Sequence, residues 1–266
     1  MIKNKKAGVF AIGLVLGMII FIGMSWHAFS TTNKNINAGV IKTTASINIK
    51  NMGDRLSFYI NESSKLAASQ AFYEIVKDSA IDKDNPSCTV TGDTIIWNSN
   101  CMPEKIFLQN KFTDEYGKSF FDSLKAYSET NLTDITYTHT FENGEIKTKT
   151  DPKTFSSEEK GTFATYKLEY EFNPSITLIL EEENINLDSF DFIYIKTNSD
   201  IRECRDEEAV DMVLCVKNKL EFDGWTVDVK KQGSYLIFEL ETEEYFFFED
   251  KGMKFEKIIL KFAMII

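Results

Sequence analysis

Histidine is nearly missing from this chain, with two in 266 residues. His27 stands inside an apolar run, which leaves His139 as the one histidine available to the rest of the molecule. A Ser-His-Asp system would have to use it, and the chain has no H-E-x-x-H, no G-x-S-x-G and no phosphate-binding glycine loop. His139 alternates with Tyr137 and Phe141 and is read as a half-buried strand residue. Cysteine is scarce as well. Cys88, Cys101, Cys204 and Cys215 include no C-x-x-C pair, which with a single histidine disfavours zinc. Basic side chains are outnumbered, 30 against 41 acidic ones for a net charge of −11, and Lys3, Lys5 and Lys6 precede the apolar run. That balance argues against nucleic acid as a partner and fits a soluble acidic surface. Repeats at a fixed period are absent. Disorder is excluded by 43% apolar and 13% aromatic residues.

What the chain does have, at its start, is a long apolar run. From Ala7 to Phe29 the only ionisable side chain is His27, and about 1.5 Å per residue makes the run long enough for a bilayer core. With Lys3, Lys5 and Lys6 in front of it, the charge bias predicts a single-pass plasma-membrane protein, N-terminus cytoplasmic and C-terminal domain extracellular. The domains expected are a basic tip and transmembrane signal-anchor helix at 1–30, a polar linker at 31–48 and an extracytoplasmic α+β domain at 49–266. Lipid would be the partner of residues 7–29. A cleaved secretory signal is the competing reading, since Ala28-Phe29-Ser30 offers a small-x-small site.

Lys5-Lys6-Ala7-Gly8, directly before an unbroken apolar helix, resembles the class III signal of archaeal type IV pilins. The early glutamate typical of bacterial pilins is missing. The resemblance implies cleavage on the cytoplasmic side of the apolar stretch with the helix retained. The wider layout is similar to N-terminally anchored archaeal surface proteins. Between anchor and filament spine the expectation is the anchor: STTNKNINAG is polar and ends in Gly39, and Gly53 and the β-branched run VIKTTASI weaken one continuous helix.

Even cysteine numbers in an oxidising compartment favour two disulfides, with 88–101 and 204–215 preferred among three possible pairings. Apolar spacing from Ile49 predicts a juxtamembrane amphipathic helix to about Asp78. Thr113 is placed as the cap of a second helix whose core side holds Phe120, Phe121, Leu124 and Tyr127. From residue 134 the period is two, with an Asn143-Gly144 hairpin and strands around Tyr166–Phe172, ITLILEEE and Phe190-Phe192-Tyr194. A helix at about Glu207–Lys219, with Asp206 as its cap, precedes WTVDVKK, YLIFELE, EYFFFED and MKFEKIILKF, the last with a bulge near Glu256-Lys257. The fold class is α+β, a mainly antiparallel-sheet ectodomain with two or three helices.

Motifs for chemistry are weak. Ser157-Glu158-Glu159-Lys160 has the bare S-x-x-K spacing without its companions. Asp82-Lys83-Asp84-Asn85-Pro86 is oxygen-rich but lacks the glycine and glutamate of a calcium loop, so it reads as a helix stop. Asn61 and Asn131 head glycosylation sequons. No catalytic residue, cofactor or metal site is expected. The function expected is a membrane-tethered cell-surface protein with a structural, assembly or adhesion role, with a homo-oligomer or other surface proteins as possible partners. A solute- or cation-binding receptor domain is the alternative, and an extracellular hydrolase the lesser one.

Overall fold

The computed structural model describes residues 5–82, 85–127, 131–160, 165–206 and 211–266, and of residues 5–20, 33, 35–38, 157, 159 and 166 the backbone alone. In chain order the elements are helix α1 (Lys5–Lys77), strands β1 (Thr89–Thr91) and β2 (Thr94–Ile96), helix α2 (Lys105–Lys125), strands β3 (Tyr137–Glu142), β4 (Glu145–Thr150), β5 (Lys153–Lys160), β6 (Thr165–Phe172) and β7 (Ser175–Ile179), helices α3 (Ser189–Asp206) and α4 (Met212–Lys219), then β8 (Trp225–Gln232), β9 (Tyr235–Thr242), β10 (Phe246–Glu249), β11 (Met253–Glu256) and β12 (Ile259–Ile265). The class is α+β. The chain forms two compact units, Met1–Leu56 with Pro152–Phe172 and Ser57–Asp151 with Asn173–Ile266.

The N-terminal expectations need correction. Among the described residues no helix is long and apolar enough to cross a membrane. The transmembrane helix in the expected fold class, and the single-pass plasma-membrane placement drawn from it, are therefore overturned. The apolar run is not a separate element: the backbone continues through it as part of α1. The described side chains begin at Phe21, and within a few residues they are interrupted by Ser25 and His27 and then by Ser30-Thr31-Thr32. Lys3 lies outside the described residues, and the side chains of Lys5, Lys6 and positions 7–20 lie outside them too.

The polar linker is also helix. The chain's first proline is Pro86, so nothing before it removes a ladder donor at a cost of about 3 kcal/mol, whereas Gly39 and the β-branched residues cost about 1 kcal/mol or less each. Hydroxyls meanwhile fold back onto the ladder: Thr31 Oγ1 donates to His27 O at 2.8 Å and Thr43 Oγ1 to Gly39 O at 2.9 Å.

In the first unit, β5 and β6 pair antiparallel from Lys153↔Phe172 to Lys160↔Thr165. Opposed residues share a face, so Phe155, Leu168, Tyr170 and Phe172 lie together while Thr154, Ser156, Glu158, Lys167, Glu169 and Glu171 take the other. On α1 the buried positions are Ala45, Ile49, Gly53 and Leu56, one helical stripe. Gly53 has a reason to be there: a Cβ at this position would stand 3.0 Å from Tyr170 Cζ, so the ring lies on bare backbone.

In the second unit, α1 ends as a Schellman turn without glycine. Ser79 and Ala80 both have positive φ, with Ala80 N–H donating to Ile75 O and Ser79 N–H to Val76 O, each at 2.9 Å. The left-handed Ser79 is held from two sides, because its Oγ donates to Lys261 O at 2.6 Å and its carbonyl accepts from Trp97 Nε1 at 3.1 Å. Trp97 in turn stacks on Phe262, ring centroids 3.7 Å apart. A five-stranded sheet of order β1-β2-β12-β9-β8, a three-stranded sheet β3-β4-β7 and the pair β10-β11 complete the unit. Only the β12–β2 pairing in these sheets is parallel. Gln70 on α1 docks β10 as another strand would, accepting from Glu249 N–H at 2.6 Å and donating to Glu249 O at 3.3 Å.

Several local expectations shift. The helix α2 starts eight residues before Thr113, whose hydroxyl donates to Gln109 O inside it, and Phe121 is exposed rather than core. Phe190, Phe192 and Tyr194 lie in α3, not in a strand; Asn186 Oδ1 caps its start by accepting from the backbone of Asp188 and Ser189. Asp211, not Asp206, caps α4. The anticipated bulge at Glu256-Lys257 is a change of sheet, with β11 paired to β10 and β12 to β9. Asn143 and Gly144, both at positive φ, make the expected hairpin turn.

Gly53→Ala sets a gain of about 1 kcal/mol in helix propensity against an overpacking cost of about 1–3 kcal/mol. Hydrogen exchange in β5 and β6 is expected to accelerate in this variant. With Tyr170→Ala in place, the same change should become stabilising by about 1 kcal/mol. Protection unchanged in the single variant would contradict the close approach.

Candidate functional site

The cysteines are joined as Cys88–Cys101 and Cys204–Cys215, the two preferred pairs, with Cα atoms 5.1 and 5.9 Å apart. The first closes the β1–β2 hairpin, where Asn98 and Cys101 also exchange backbone hydrogen bonds. The second ties the end of α3 to α4. Loops of this length stabilise by about 3 kcal/mol each on the chain-entropy view. These are structural bonds, and among the described residues no group of three or more His, Cys, Asp or Glu is placed to hold a metal ion.

His139 belongs to a chain of polar side chains that runs through the second unit. Ser64 Oγ on α1 lies 2.7 Å from the Tyr116 hydroxyl on α2, that hydroxyl 3.1 Å from Thr148 Oγ1 on β4, and Thr148 Oγ1 2.9 Å from His139 Nδ1 on β3. Ser64, Tyr116 and Thr148 are buried, so each hydroxyl depends on its neighbours for partners. The imidazole stands edge to face with Tyr116 and Phe120, at 5.0 and 5.3 Å. Gly117 makes room for it, since a Cβ there would lie 3.3 Å from His139 Cδ2. Burial holds the imidazole below its ordinary pKa. Burial also raises the Tyr116 phenol, against the opposing effect of its hydrogen bonds from Ser64 and Thr148. The arrangement links three layers and presents no nucleophile to solvent.

The other flagged residues do not converge. Lys160 is exposed and pairs with Glu158 at 3.4 Å, while the side chain of Ser157 lies outside the described atoms. Lys83 and Asp84 of the oxygen-rich turn lie outside the described residues as well. Two acidic stretches of the sequence, EEENINLDSFD and ETEEYFFFED, shape one cleft of about 500 Å³, lined by Glu181, Asp188, Asp223, Glu243 and Glu244 around Trp225 and Phe246, with no lysine or arginine among its lining residues. Asp188 is paired with Lys105 at 2.7 Å.

A further surface feature lies on α1. Ile22, Phe29, Val40 and Ile47 are 65%, 68%, 59% and 53% exposed. Their spacing is 7, 11 and 7. At about 100° per residue, seven residues fall about 20° short of two turns and eleven pass three turns by about 20°. The drifts cancel, so the four side chains form one straight stripe about 38 Å long. Ala45, Ile49 and Leu56, buried in the same unit, lie roughly 150–190° round the helix from that stripe. Towards its start the apolar exposure widens to Phe21, Met24 and Trp26. Its first half, Ile22 and Phe29, belongs to the apolar run read from the sequence as a membrane span; Val40 and Ile47 were not joined to it because the polar stretch STTNKNINAG intervenes, and a search at 18 residues, five full turns, picks out 22 with 40 and 29 with 47.

With His139 pKa lowered in the fold, the unfolded chain binds its proton more readily. Stability is then complete above the ordinary histidine pKa of about 6.5 and is lost as pH falls through it, levelling once the folded form is also protonated. The urea midpoint is expected to drop between pH 7 and 5.5, and His139→Gln should flatten that slope. An identical slope in wild type and variant would contradict the assignment.

No protein-family model, no curated protein and no solved structure matches this chain, so the functional reading rests on its own geometry.

Proposed function

We propose that the protein is a structural subunit that self-assembles through α1. The observation that carries this reading is the line of exposed apolar side chains Ile22, Phe29, Val40 and Ile47 along the unbroken backbone of α1, of which the described side chains before Ala45 include none that is buried. The four side chains stand about 10–17 Å apart along the axis, and beside the first two Phe21, Met24 and Trp26 are exposed as well, a concentration of apolar surface that single scattered residues do not make. An alternation of 7 and 11 averages to 3.6 residues per turn and suits helices packed side by side with little supercoil. The resemblance of Lys5-Lys6-Ala7-Gly8 to a pilin signal supports the same reading, since that signal implies a helix kept in the mature protein. The continuous helix also removes the reason for preferring an anchor, which was a break at residues 31–48.

The acidic cleft favours a second reading, a domain that binds a small organic cation against the carboxylates and aromatic rings of the second unit. Sizing the full chain separates the two. A subunit elongates into concentration-dependent assemblies, and a cation receptor alone stays monomeric. Val40→Lys with Ile47→Lys is expected to raise the concentration at which assemblies form by at least about 100-fold, because each charge must be desolvated in the helix contact. Ser46→Lys, exposed on the helix but off the stripe, should leave it unchanged. Monodisperse monomer for the wild-type chain, or equal assembly by the double lysine variant, would overturn the proposal.

A further inference from the structure

We propose that Asn131 is an N-glycan acceptor and that the fold keeps Asn61, the other sequon asparagine, unmodified. The two sequons are equivalent as strings, Asn61-Glu62-Ser63 and Asn131-Leu132-Thr133, and the structure separates them. Asn61 lies within α1, half-buried, and Ser63 of its sequon is 3% exposed. A transferase must draw the acceptor asparagine and the hydroxyl two residues on into one site, and a packed helix holds the two apart, one of them facing the core. Asn131 is exposed and opens the short 3-10 turn Leu132–Asp134. Its Oδ1 accepts from Thr133 Oγ1 at 2.6 Å and from Thr133 N–H at 3.2 Å, so amide and hydroxyl already sit together at the surface. Its Nδ2 donates to Asp134 Oδ1 at 2.8 Å. All four cysteines are bonded, which marks an oxidising folding environment, the setting in which sequons are used.

The donor required is a sugar linked through pyrophosphate to a lipid. Asn131 Nδ2 attacks the anomeric carbon, forming a C–N bond as the bond from that carbon to the phosphate oxygen breaks. The lipid pyrophosphate leaves with the electron pair, and one of the two Nδ2 protons passes to a carboxylate base. Nothing is oxidised or reduced.

The test is mass analysis of tryptic peptides 126–147 and 56–65 from the full chain isolated from its native cells. The first is expected to carry a hexose-containing mass increment and the second none. Thr133→Ala should abolish the increment and Thr133→Ser should retain it; Asn131→Gln should remove it, with the unfolding midpoint confirming that the chain still folds. An unmodified Asn131 overturns the proposal. Occupancy of Asn61 overturns selection by the fold, and an increment that survives Thr133→Ala overturns sequon-directed transfer.

Discussion

A helix advances 100° per residue, and α1 buries one side over residues 45–56 while the exposed apolar side chains aligned on the other side, Ile22 to Ile47, lie mostly before that stretch. Everything else in the first unit follows from this. One side, through Ala45, Ile49, Gly53 and Leu56, is buried, and the glycine lets a tyrosine ring of the β5–β6 ribbon lie against backbone. The ribbon's own faces divide the same way, aromatic inward and charged outward, so a two-stranded element that is marginal alone gains a second layer. The opposite side of the helix remains uncovered. An amphipathic helix needs only one apolar stripe to join its own domain, and the second stripe is unexplained by folding of a single chain.

In the second unit the same helix supplies the central packing element, and its end is fixed by groups that are far away in sequence. A serine in a left-handed conformation costs of order 1 kcal/mol relative to glycine. Ser79 persists because strand β12 and Trp97 both hydrogen bond to it, which couples the stop of α1 to closure of the five-stranded sheet. The Ser64–Tyr116–Thr148–His139 chain does the same for α2 and the β3–β4 hairpin. Each buried hydroxyl is satisfied only while all the layers are in place, so these contacts specify one arrangement more than they add net stability.

Local chemistry made some of this legible in advance. Asn143-Gly144 announces its turn because both residues tolerate positive φ, and the alternation of YLIFELE reports a half-buried strand directly. The Cys88–Cys101 pair is suggested by the Gly92-Asp93 turn between them, whereas Cys204–Cys215 is a preference among three possible pairings, since nothing in the sequence shows how the end of α3 meets α4. Other features were hidden by degeneracy between patterns. Phe190, Phe192 and Tyr194 satisfy a two-residue period, and only the continuation through Ile193, Thr197, Ile201 and Cys204 reveals a helical one. The slip in MKFEKIILKF is real, but a slip in phase cannot tell a bulge from a change of partner; Thr242, bonded to Ile258 through backbone and side chain, decides it. The polar stretch before Val40 misled because composition was taken as a break, although no proline enforced one and threonine hydroxyls could return to the helix carbonyls. Nothing in the residues of the acidic runs distinguishes cleft-lining carboxylates from solvated ones, since that depends on which loops meet.

The central claim is that α1 is unbroken through residues 31–48, because both the stripe and the assembly reading fail without it. Spin labels at Thr32→Cys and Lys50→Cys address it directly, both sites being exposed and all four native cysteines bonded. These positions are five helical turns apart on the same side, so a continuous helix predicts a single narrow distance distribution centred at about 27 Å. A broad distribution, as an unstructured polar linker of that length would give, would contradict the account.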